Sequence, residues 1–126
     1  MRYLCVGAAL GALMLTTPAS AQSTSAPLRI GVLNDQSGIY GDLSGQGSVI
    51  AARMAVEDFG GKVLDRSIEV IFADHQNKPD VGSALASRWY DTENVAAIVD
   101  VPVSSVALAV QEVARERNKI VLFSAA

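Results

Sequence analysis

The sequence is poor in the residues that most protein chemistry relies on. Its 126 residues include one cysteine, one histidine and one tryptophan, with 6% aromatic and 18% charged residues. Cys5 is the only cysteine, so the chain can close no internal disulfide and carries no cysteine-based zinc or redox motif. His75 is the only histidine, which leaves no H-x-x-x-H or paired-ligand spacing for a metal. There is no G-x-S-x-G elbow, so nothing points to a nucleophilic hydrolase. Ten basic residues against thirteen acidic ones give a net charge of −3, and no basic patch forms. That balance argues against nucleic acid as a partner. No apolar run approaches the roughly 20 residues of a permanent membrane helix.

The apolar run that does exist stands at the start. Arg2 gives a short basic beginning, Leu4 to Leu15 is almost wholly apolar, and TTPASAQ follows with small residues at Ala19 and Ala21 before Gln22. Charge, apolar core and an A-x-A site in that order predict a secretory signal peptide over residues 1–21, cleaved before Gln22. A lipoprotein signal would need its cysteine at the cleavage site, and Cys5 lies well before it. Cleavage leaves nine basic and thirteen acidic residues, a net charge of −4, and no cysteine. The remaining chain makes one small domain at most.

Residues 22–27, QSTSAP, read as a flexible lead-in. LRIGVL (28–33), SIEVIFAD (67–74), VAAIVDV (95–101) and KIVLFS (119–124) are short apolar runs rich in branched residues, the pattern of buried strands. Helical patterns separate them. The first begins at Ser48, with Ile50, Ala51, Met54, Ala55 and Phe59 on one face and Arg53 and Glu57 on the other, and Gly60-Gly61 stops it. The second starts with Pro79 at a first helical position and runs through DVGSALASRWYDTE. The third runs from Ser104 to Arg117, with Val106, Val110 and Val113 as an apolar seam.

Strands alternating with helices predict an α/β fold with a parallel, Rossmann-like sheet. The fourth strand is followed by two alanines and no covering helix. One face of the sheet is therefore expected to be partly bare, and residues 28–126 read as a truncated part of a larger protein.

Ligands of open parallel sheets bind beyond the carboxyl ends of the strands, where the strand order reverses. With the order 2-1-3-4 that crevice lies between the first and third strands, facing loops 34–47 and 101–105. Ser104 and Ser105 open the third helix there. One of them is expected to cap the helix, and the free first-turn N–H groups suit an anionic group such as a carboxylate. Tyr40, in the glycine-rich loop NDQSGIYGDLSGQG, either packs over the sheet edge or offers a ring wall and a hydroxyl to a small ligand. Gly45-Gln46-Gly47 lacks the third glycine of a dinucleotide fingerprint, since Ile50 stands in that place. Asp35, Asp74 and Asp100 come near strand ends with His75 beside the second, where aspartate ordinarily makes local turns. No cofactor, metal or catalytic residue is predicted.

From Leu28 to Ala126 the chain resembles the start of the branched-chain amino-acid type of solute-binding protein, which serves ABC uptake transporters. The resemblance rests on Ser37-Gly38 after the opening strand, Tyr40-Gly41-Asp42, a glycine before the first helix, Asp74 to Pro79 as D-x-x-x-x-P, the serine pair at the third helix and a closing S-A-A. It implies part of the first lobe of a type I periplasmic binding protein, in which two α/β lobes close over a small solute without catalysis. It also implies that Ser104 binds the solute carboxylate, with Ser105 adding hydroxyl or N–H contacts. By the same resemblance, Tyr40 is expected to wall the cleft and Ala126 to supply a backbone carbonyl to the solute head group. The implied partners are an amino acid or related carboxylate or amide, and the permease subunits of the transporter. The loop before Tyr40 is shorter than in the leucine binders, and Val101-Pro102-Val103 replaces a more polar lead-in to the serine, so the solute need not be leucine-like. A single lobe is expected to bind weakly or not at all by itself. Two other readings fit part of the pattern: a ligand-sensing domain of a receptor or regulator with the same fold, and a phospho-acceptor receiver domain using Asp35, Asp100 and Ser124.

Overall fold

Each of the four runs of branched residues forms a strand, and each helical pattern between them forms a helix. The computed structural model describes residues 25–125, so the leader and Ala126 lie outside the described residues. In chain order the elements are β1 (Leu28–Asn34), α1 (Gly45–Asp58), β2 (Lys62–Val63), β3 (Arg66–Asp74), α2 (Pro79–Asp91), β4 (Val95–Val99), α3 (Ser104–Glu116) and β5 (Ile120–Leu122).

The sheet runs β2-β3-β1-β4-β5. β1 is central, parallel to β3 on one side and to β4 on the other, and β4 is parallel to β5. The four strands read from sequence thus take the expected order. The addition is β2, two residues pairing antiparallel with β3 through a tight turn at Leu64 and Asp65. Both turn residues have positive φ, 48° and 61°, the geometry that asparagine and glycine usually supply. Leu-Asp carries no such signal, which is why this hairpin is invisible in the sequence.

Successive β1 residues point to opposite faces. Gly31 meets the Trp89 ring of α2, whereas Ile30 faces α1. The α2–α3 face holds the core: Leu33, Trp89, Val95, Ile98, Val106 and Val110 are all buried there. The valine seam of α3 accordingly faces the sheet, with Val106 and Val110 at 0% exposure.

The α1 face is different. α1 starts at Gly45, three residues earlier than the periodicity suggested, and its buried line is Val49 with the half-buried Ala52 and Val56. Ile50, Met54 and Phe59, expected to face inward, are 56%, 58% and 66% exposed. The contact line lies roughly 140° round the helix from the expected face, and it is the line that meets β1 and β3. A groove of about 590 Å³ remains beside it, lined by Ile30, Val56, Phe59, Ile68 and Val70 among others. Ile120 and Leu122 stay 59% and 60% exposed. The partly bare sheet face is therefore found, and it is the face of α1.

Candidate functional site

The strand order reverses at β1, so the loops following β1 and β4 flank one crevice at the carboxyl edge of the sheet. A fully buried amide joins them: Asn34 Nδ2 donates to the Gly45 carbonyl at 2.8 Å and to Asp100 Oδ2 at 3.2 Å. Gln36 Nε2 donates to Asn34 Oδ1 at 3.2 Å, and Gln46 Nε2 to Gln36 Oε1 at 2.6 Å. Sequence reading missed Asn34; the available signal was a polar residue ending a buried apolar strand.

The three aspartates hold turns. Asp35 is fully buried and accepts the N–H groups of Gly38 at 2.9 Å and Tyr40 at 3.1 Å. Each of its oxygens thereby holds one backbone N–H of the loop. Asp74 accepts the N–H of Gln36 at 3.1 Å, the N–H of Gln76 at 2.7 Å and the Ser37 hydroxyl. Burial works against its ionisation, but these donors and the nearby His75 outweigh it and hold the carboxyl below the usual range. Asp100, at φ 58°, accepts the hydroxyl of Ser124 and so ties the end of β4 to the segment after β5. Among the described residues no group of three metal-ligating side chains converges.

Tyr40 is 37% exposed. Its carbonyl accepts the N–H groups of Leu43 and Ser44, each at 3.0 Å, so the residue is fixed by its backbone at the centre of the loop. Ser104 and Ser105 are exposed at the first two positions of α3. Neither caps it: the capping position is Val103, extended at φ −98° and ψ 116°, with no side-chain capping bond. This corrects the expectation of a serine cap. Val101 and Val103 are buried at 0% and 8% exposure, and that anchoring places the cap one residue before the serine pair. The Val103 carbonyl takes the Ala107 N–H at 2.7 Å. Among the described residues, neither hydroxyl has a capping bond, and the first-turn N–H groups face an outside acceptor or anion. The structure brings Tyr40 and the serines to the same sheet edge, but no hydrogen bond links them among the described residues. Ala126 lies outside the described residues.

Comparison with known proteins matches this arrangement to a family. The sequence profile of the periplasmic binding proteins matches residues 27–126. The chain belongs to that family. A periplasmic binding protein of Burkholderia mallei has 42% identity and a TM-score of 0.77 over 79% of this chain and 27% of its own. A branched-chain amino-acid ABC transporter periplasmic ligand-binding protein of Burkholderia xenovorans has 40% identity and a TM-score of 0.76, over 79% and 26% of the two chains. An R. palustris ABC-transporter solute-binding protein in complex with benzoate has 27% identity and a TM-score of 0.68, over 76% and 27%. The chain thus spans about a quarter of the length of these solved periplasmic binding proteins. Comparison with curated proteins found no match. The α/β fold with its mostly parallel sheet is that of a type I periplasmic binding protein.

Proposed function

We propose that this chain is part of the solute-binding component of an ABC uptake system, exported by the leader over residues 1–21 and working in the periplasm without catalysis. Its solute is an amino acid or a related small carboxylate or amide. The observation that carries this reading is the start of α3: two exposed serine hydroxyls with no capping bond among the described residues, at a first turn of N–H groups and at the switch point of the sheet. A helix start of this kind suits a carboxylate. Ser104 is the principal carboxylate ligand and Ser105 its neighbour, Tyr40 forms a wall of the cleft, and the Ala126 carbonyl takes the head group. Residues 28–126 supply one jaw, and closure of a second lobe over the solute presents the transporter permease with a closed face.

That relatives carry such different solutes supports a carboxylate as the shared element. The B. xenovorans protein is named for branched-chain amino acids, and the R. palustris protein holds benzoate. The test is calorimetry on protein isolated from the periplasm, with amino acids, aromatic carboxylates and their uncharged alcohol analogues. Carboxylates are expected to bind and the alcohols not. Ser104→Ala is expected to weaken binding about tenfold, the worth of one charge-assisted hydrogen bond. Equal binding of carboxylate and alcohol, or unchanged affinity in the serine variants, would overturn the reading.

A further inference from the structure

Beneath the two loops lies a side chain that the proposed binding role does not use. His75 follows β3 directly and is fully buried. Its Nδ1 accepts the Asn77 N–H at 3.0 Å, so the ring proton of the neutral form sits on Nε2. That Nε2 is buried and has no partner among the described residues. Three carboxylates act on the ring, one from each neighbouring strand end: Asp35 after β1, Asp74 of β3 and Asp100 after β4. α2 approaches through Gly82, whose Cβ position would lie 3.7 Å from His75 Cβ, and α3 backs that glycine with Val106; neither residue brings a charge. Lys78, in the same turn, sends its ammonium to Gln76 Oε1 at 3.2 Å.

The turn that the ring holds is strained, with Gln76 and Asn77 at φ 53° and 56°. Its other fastenings are the Gln76 N–H on Asp74 and the Lys78 N–H on the His75 carbonyl at 2.9 Å. The same Asp74 carboxylate takes Gln36 and Ser37 of the β1 loop, four and three residues before Tyr40. One carboxylate therefore couples the His75 turn to the loop that carries Tyr40.

We propose that His75 is a positioning residue for that loop: while neutral, its Nδ1 holds the turn that presents Asp74 to Gln36 and Ser37, and a proton arriving on Nδ1 releases Asn77 and loosens the loop. An imidazolium carries hydrogens on both nitrogens and cannot accept the Asn77 N–H. The proton comes from solvent, and no covalent bond other than its own N–H forms or breaks. Burial pushes the imidazole below its ordinary value, while Asp35, Asp74 and Asp100 pull it back up. The folded value lies below the unfolded one, so the stabilisation is complete above about 6.5 and is lost as pH falls through the folded value. Weaker solute holding in acid follows only if the binding role above is right; the coupling of turn to loop does not depend on it.

The test reads the loop without solute. Because His75 is the only histidine of the 126 residues, a single imidazole resonance reports its titration. In protein isolated from the periplasm and titrated by NMR from about pH 7.5 to about pH 5, His75 is expected to titrate below 6.5. The amides of Asn77, Gln36, Ser37 and Tyr40 are expected to shift with the same midpoint. In His75→Asn the carboxamide oxygen can still accept the Asn77 N–H but cannot titrate, and the loop amides are expected to stay flat over that range. An imidazole that titrates while the Gln36 and Tyr40 amides stand still would overturn the proposal. So would loop amides that still titrate in His75→Asn. Should that variant fail to fold, the shared midpoint in the unaltered protein decides. Failure of solute binding would leave every one of these readouts intact.

Discussion

Gly31, in the middle of the central strand, lies directly under the ring of Trp89: a Cβ at position 31 would stand 2.4 Å from Cζ3 and 2.6 Å from Cε3. Trp89 is 2% exposed, so the ring cannot swing away into solvent. Gly31→Ala should therefore act as overpacking and cost about 1–3 kcal/mol. Trp89 is the only tryptophan, and its fluorescence follows urea unfolding cleanly. A midpoint equal to that of the parent protein would show that α2 can shift outward at no cost.

A second fastening works at the sheet edge. The Tyr90 hydroxyl donates to the Ile120 carbonyl of β5 at 2.7 Å, and burial pushes the phenol up to about 12. β5 is short and among the described residues pairs only with β4, so this bond matters to its placement. Tyr90→Phe keeps the ring but leaves that carbonyl without its donor, and should cost about 1 kcal/mol. Amide exchange at Val121 and Leu122 should quicken more than exchange in β1. Uniform quickening across the sheet would mean that the bond serves general stability and not β5.

The sheet order and the seam of α3 were legible because they rest on long-range regularities: branched runs of strand length, and valines at helical spacing. Val106, Val110 and Val113 fall on one helix face in any fold, and the structure buries them together. The α1 face was not legible. Ile50, Met54 and Phe59 are as apolar as a core stripe, and only tertiary position reveals that the sheet meets Val49, Ala52 and Val56 instead. At the crevice, the placement of the β1 and β4 loops followed from topology. The position of the α3 cap did not, because burial of Val103 outweighs the intrinsic preference for serine. Asn34 escaped because an asparagine at a strand end reads as a turn residue, and its buried hydrogen bonds reach residues 11 and 66 positions away.

The β2–β3 turn is a place where sequence and geometry disagree, so it can be improved. Leu64 is 89% exposed at φ 48° and Asp65 sits at φ 61°. A left-handed leucine costs on the order of 1 kcal/mol, and the exposed side chain returns nothing for it. Replacing the pair by Asn-Gly (Leu64→Asn with Asp65→Gly) matches the demand of a two-residue hairpin and should stabilise the protein by about 1 kcal/mol. The check is the thermal midpoint. A fall in it would mean that Ser25 or Arg66, which fasten the lead-in residues beside this turn, depend on the original pair.

Asp74 makes a separate acid prediction. Its folded carboxyl titrates below the unfolded value near 3.9 because the Ser37, Gln36 and Gln76 donors and the nearby His75 together outweigh the opposing effect of burial. A depressed carboxyl stabilises fully above the unfolded value, and that contribution is lost as pH falls through the folded one. Asp74→Asn removes the charge and one acceptor, and should cost about 1–2 kcal/mol at neutral pH. The gap between variant and parent should then close as pH drops below about 4, since the parent loses the same contribution by protonation. Urea midpoints at neutral pH and at successively lower pH measure that gap. A gap that stays constant into acid would show that the loss comes from the altered shape of the side chain, and the charge of Asp74 would then hold neither the β3 turn nor the Gln36–Ser37 loop.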